Sequence, residues 1–60
     1  MTEKEIMKWM RNTVKKDGFR DAASLAREFL DTHEITESLD PEFSTVMDAS
    51  FKIAQEVYSF

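Results

Sequence analysis

Apolar residues recur at helical spacing in three stretches of this chain. Ile6, Met7, Trp9, Met10, Thr13 and Val14 cover one face roughly 160° wide at ~100° per residue. Thr2 and Glu5 stand at capping-box spacing before that face, and Lys15 and Lys16 fall in its last turn, where cations suit a helix C-terminus. Gly18 follows as a C-cap residue expected in the left-handed region. The first helix is therefore placed at residues 3–16.

Ala22, Leu25, Ala26, Phe29 and Leu30 form a second stripe at i, i+3, i+4, i+7 and i+8, behind Asp21 as N-cap. This places helix 2 at residues 21–33, fading at Thr32–His33 with Ile35 as a loop anchor. Asp40-Pro41-Glu42 is the clearest start signal in the chain: Asp at N-cap, Pro at N1 and an acid in the first turn. Helix 3 is placed at residues 41–58, and residues 36–39 stay unassigned. In helix 3, Phe43, Val46, Met47, Ser50, Phe51, Ile53, Ala54, Val57, Tyr58 and Phe60 fill an arc of about 180°. Ser44, Thr45, Asp48, Ala49, Lys52, Gln55, Glu56 and Ser59 fill the other half. No alternation of strand type and no hairpin dipeptide between strands is present. The expected fold is a single all-α domain over residues 1–60, a compact three-helix unit.

The apolar arc of helix 3 is wider than the stripe of about 100° that a helix on the outside of a core needs. Two readings fit it. Helix 3 is central, held by helices 1 and 2 on adjoining sides; or part of the arc is left for a second copy or another protein. Length makes both plausible. A 60-residue chain buries only about 60% of the surface its unfolded form exposes, and small domains often add a staple or a partner. Disulfides and thiolate metal sites are excluded by the absence of cysteine, which fits a reducing compartment. No apolar run approaches membrane-spanning length, and MTEKEIMKWM has no separate apolar segment of signal-peptide type. The expected location is the cytoplasm, with no membrane contact.

Charge divides the chain. Residues 1–20 hold six cations against three carboxylates, leaving +3, while residues 21–60 hold two cations against nine carboxylates, leaving −7. Lys4, Lys8, Arg11 and Lys15, spaced +4, +3, +4, line one stripe of helix 1. Such a stripe is either a solvated face or a docking surface for phosphates or an acidic protein. The overall charge of −4 disfavours bulk attraction to nucleic acid. AASLAREF, residues 22–29, has the rhythm of the first helix of a DNA-binding helix-turn-helix. The connection to helix 3 is too long for that motif, and helix 3 carries one cation, Lys52. An RNA groove tracked by the helix 1 stripe is more compatible. The carboxylates around helix 2 could imitate nucleic-acid phosphates, although solubility explains them more simply.

Catalytic chemistry finds no foothold. His33 is the one histidine, without a nameable nucleophile or base beside it, and His33-Glu34 lacks the second His of a zinc helix. Asp31 to Glu42 has the length of a calcium loop but no central Gly, with Ile35 and Leu39 at ligand positions. One Gly cannot build a phosphate-binding loop. No cofactor and no metal are expected. The chain reads as a non-enzymatic, regulatory interaction module that binds a protein partner, or itself as a homodimer. Trp9, Phe51, Tyr58 and Phe60 are the apolar anchors. The alternative is a nucleic-acid-binding regulator using Lys4, Lys8, Arg11 and Lys15. A third possibility is a chain that folds fully only with its partner.

Overall fold

The computed structural model describes residues 2–35 and 41–59. These form α1 (Glu3–Asp17), α2 (Ala22–Thr32) and α3 (Pro41–Tyr58), with no strand among the described residues. The fold is the all-α three-helix domain expected. The unassigned stretch 36–39 and the expected Asp40 cap lie outside the described residues.

Local chemistry fixes the helix ends. The Glu5 amide donates to Thr2 Oγ1 at 3.3 Å and the Thr2 amide donates back to Glu5 Oε1 at 3.2 Å, completing the capping box. Asp21 caps α2 by accepting from the Ser24 amide at 2.7 Å, so it precedes the helix rather than opening it. At the end of α1, the Gly18 amide donates to the Val14 carbonyl at 2.8 Å. Its φ of 85° is positive as expected, but ψ is 173°, outside the left-handed helical region. This extended, positive-φ region is essentially reserved for glycine. The end of α2 is a Schellman motif: Ile35 N–H reaches Leu30 O at 2.9 Å and Glu34 N–H reaches Asp31 O at 3.3 Å. Glu34, at φ 56°, takes the left-handed position that glycine usually fills. The motif returns Ile35 toward Leu30, and both pack against the core.

That core consists of Ile6 and Met10 from α1, Leu25, Ala26 and Phe29 from α2, and Val46, Ala49 and Ile53 from α3. Buried Ser50 lies among them and donates to the Met47 carbonyl at 2.7 Å, so its hydroxyl is satisfied. α3 is the central element, with α1 and α2 both packed along it. α1 and α2 meet each other through side chains. The Trp9 ring stands edge-on to Phe29 at 5.2 Å, and the Phe29 ring is fully buried. α1 is also tied to α3 at two points, by Lys52 with Glu3 and by Arg11 with Glu56.

One assignment within α3 changes. Ala49, placed by its neighbours on the polar half, is fully buried, while Phe51 of the apolar half is 56% exposed. The core line runs through Val46, Ala49, Ser50 and Ile53, and its centre is rotated about 60° from the centre of the ten-residue apolar arc. Two helices pressing on α3 favour small residues where the backbones approach. An alanine flanked by Asp48 and Ser50 therefore belongs to the core.

The two helix ends yield a paired prediction of opposite sign. A Cβ at Gly18 would meet nothing within 4 Å, so Gly18→Ala tests backbone conformation alone. It should cost about 1–3 kcal/mol. Glu34→Gly should instead stabilise the domain by up to about 1 kcal/mol, by relieving a left-handed non-glycine residue. Urea unfolding followed by circular dichroism measures both.

Candidate functional site

Because α3 turns by about 100° per residue, its residues sort into lines along the cylinder. The line after the core line holds Met47, Phe51, Ala54 and Tyr58, spaced +4, +3, +4. Met47 and Ala54 are partly buried, and Phe51 and Tyr58 are 56% and 70% exposed. These two are the exposed large hydrophobic side chains among the described residues, and they share one stripe. Tyr58 is nonetheless positioned. Phe19 packs edge-on against its ring at 5.6 Å, and the Tyr58 hydroxyl lies 3.5 Å from the Arg20 carbonyl oxygen. On the flank away from the core, Ser44, Asp48 and Gln55 are exposed. The stripe is thus an apolar ridge with one aromatic ring held from behind and a lightly charged border.

The other expected anchors lie elsewhere. Trp9 is half-buried between Phe29 and His33, with its edge-on contact to the His33 ring at 5.8 Å. Its ring contacts are with α2, and the structure does not join it to Phe51 and Tyr58. Phe60 lies outside the described residues. His33 caps α2. Its Nδ1–H donates to the Phe29 carbonyl at 3.0 Å, and its ring stacks on Phe29 at 4.0 Å and 19°. The imidazole is therefore engaged in holding the end of α2 against the core.

Of the basic stripe, Lys4, Lys8 and Lys15 are exposed and make no ion pair among the described residues. Arg11 differs. Its guanidinium grips the Glu56 carboxylate at two points, Nε to Oε1 at 3.0 Å and Nη2 to Oε2 at 2.6 Å. The fork-to-fork geometry is the strong form of this contact. It raises the Arg11 pKa and lowers that of Glu56. Lys52, the single cation of α3, is held by Glu3, which raises its pKa. Sequence periodicity could not find either pair, because the partners are 45 and 49 residues apart.

Two surface hollows complete the description. An open, mainly apolar groove of about 310 Å³ between α1 and α3 is lined by Arg11, Val14, Lys15, Ile53, Glu56 and Val57. A polar hollow of about 370 Å³ at the α1–α2 connection is lined by Phe19, Asp21, Ser24 and Glu28 among others. Among the described residues, no three His, Asp or Glu side chains converge as a metal site would need, and no helix is long and apolar enough to cross a membrane. Comparison with known protein families, curated proteins and solved structures finds no match for this chain.

The bridges and caps set a pH dependence. The Asp21 pKa is lowered first by its hydrogen bond from the Ser24 amide, that of Glu5 by the bond to the Thr2 backbone, and that of Glu56 by Arg11. Each of these carboxyls binds its proton less tightly in the folded chain than in the unfolded one. Their contribution to stability is therefore present above the ordinary carboxylate range, about pH 4, and is lost as the pH falls through it. The melting temperature should be level from about pH 8 to pH 5 and fall below about pH 4.5. Glu56→Gln and Arg11→Gln should each lower the neutral-pH plateau slightly and flatten part of the acid limb. The double variant should add little to either. Full additivity of the two would mean the bridge contributes nothing in solution.

Proposed function

We propose that this protein is a non-enzymatic interaction module that binds protein through the α3 stripe Met47, Phe51, Ala54 and Tyr58. One observation carries the reading: the two exposed large hydrophobic residues among the described residues both lie on that stripe, beside a core built from all three helices. In a domain this small, exposed aromatic area is costly to leave in water, at about 25 cal/mol per Å². Contiguous exposed apolar surface marks interaction sites more often than scattered single residues do. Aromatic rings and Met are also the residue types enriched in the centres of protein interfaces. The pre-positioning of Tyr58 by Phe19 lowers the ordering cost of binding.

Two further facts favour this class over the others considered. The one histidine is committed to the end of α2 by its stack and its hydrogen bond, which supports a non-enzymatic reading. Arg11 is held by Glu56, which leaves the three lysines of the helix 1 stripe for phosphate contacts on a chain of net charge −4. Fewer free cations mean less counterion release and weaker nucleic-acid binding. A regulatory role in the cytoplasm is the biological setting that fits a small binding domain of this type.

The test is photo-crosslinking in the host cell, with a photoreactive phenylalanine analogue at position 51 and, as control, at exposed Lys8. Adducts to protein at position 51 and none at position 8 are the expected outcome. Equal labelling at both positions, or none at position 51, would overturn the assignment of the stripe. Adducts to nucleic acid at position 8 alone would move the function to the α1 face.

A further inference from the structure

The spacing of the stripe has a property that selects its occupant. The intervals +4, +3, +4 read the same in both directions. A second α3 laid antiparallel, with a two-fold axis between residues 52 and 53, sets position 47 opposite position 58 and position 51 opposite position 54. Each apolar residue then meets an apolar residue, and the sizes fit. Phe51 covers the partner's Ala54, and Met47 meets the partner's Tyr58, each pair occurring twice. A two-fold contact requires a patch complementary to itself, and large-on-small layers provide that. The spacing is also that of a coiled-coil seam, in which helices cross at a shallow angle of about 20°.

The polar border agrees with this register. Asp48 and Gln55 lie on the flank that faces its own copy in an antiparallel pair. With a rise of about 1.5 Å per residue, Gln55 lies within about 3 Å, along the axis, of the partner's Asp48. The amide N–H of Gln55 can donate to that carboxylate, twice over. The two Asp48 carboxylates are separated by about 13 Å along the axis, beyond the screening length of about 8–10 Å at moderate salt. A parallel pair would instead stack Phe51 on Phe51 and turn the Asp48–Gln55 flank of each copy away from its counterpart, so that the Gln55–Asp48 contact could not form. Lys52 and Glu56 do not intrude, because they are held on the α1 side by Glu3 and Arg11.

We propose that the Met47–Phe51–Ala54–Tyr58 stripe docks on a second copy of this chain, antiparallel, about a two-fold axis between residues 52 and 53. The proposal rests on the reading of the stripe as a binding surface and adds the identity of its partner. Four residues a side make a contact smaller than the ~800 Å² per partner of a standard interface, so a dissociation constant of about 1–100 µM is expected.

Sedimentation equilibrium of the purified protein from about 5 µM to 1 mM tests it, against that expected range. The mass should rise from 7.0 kDa toward twice that value. Phe51→Glu should keep the protein at monomer mass throughout with its helical circular dichroism unchanged, since Phe51 is largely exposed. Orientation is read by disulfides, which a chain without cysteine permits cleanly. Met47→Cys and Tyr58→Cys proteins should cross-link when mixed, and neither should cross-link alone. Self-linking of each alone would overturn the antiparallel register. A monomer at 1 mM, or a dimer indifferent to Phe51→Glu, would overturn the second copy as occupant. In the monomer case, crosslinking at position 51 in cells still decides the wider reading: adducts to a different protein keep the stripe as a binding surface, and no adducts remove both.

Discussion

Close approach of two helices to one is the constraint on which this structure depends. Ala49 and Ser50 are adjacent, small and fully buried. Ala49 lies on the side of α3 that carries Lys52 and Glu56, the two residues tied to α1, and Ser50 lies about 100° around the helix from it. A larger side chain at either position would push a neighbouring helix outward and open a gap around Phe29 or Met10. Voids of that kind are costly in a core with eight buried hydrophobic residues among the described ones, because a cavity the size of a methyl group already costs about 1 kcal/mol. The serine is tolerated because its hydroxyl bonds the carbonyl three residues back and asks nothing of the apolar surroundings.

The helices themselves were legible because their ends carry local chemistry. Thr2 and Glu5, Asp21, and Pro41 each act within a few residues of their own position, so the boundaries of α1, α2 and α3 follow the sequence within one residue. The Schellman turn at Glu34 was not legible, since a non-glycine residue at the left-handed position gives no compositional signal. The same limit hid the cross-helix bridges. Arg11 looks like one member of a basic row, and only the packing of α1 on α3 brings Glu56 to it. His33 stands in the sequence as a lone histidine near the end of helix 2, and only the placement of Phe29 gives its ring a surface to stack on.

The candidate surface falls between these cases. The apolar arc of α3 announced more hydrophobic width than one core needs, but periodicity alone could not say which edge the fold would consume. Ala49 decides that question. Once an alanine from the polar half turns inward, the core line shifts by about 60°, and the residues at the opposite edge of the arc are left outside. Phe51 and Tyr58 are those residues. Trp9, by contrast, was a reasonable anchor by residue type, and its size is used to join α1 to α2 through Phe29.

Placing core and binding stripe on one helix has an energetic consequence. Any partner that seats on Met47, Phe51, Ala54 and Tyr58 binds α3 only when it is helical, and α3 is helical only when the core on its other face is assembled. Such a partner stabilises the folded state by RT ln(1 + [L]/Kd), about 2.7 kcal/mol at a hundredfold excess over Kd. Against the 5–15 kcal/mol typical of folded domains, that increment is substantial for a chain of 60 residues. Exposed aromatic area on α3 then has a physical role. A surface that covered the stripe would add that increment to the stability of the isolated chain.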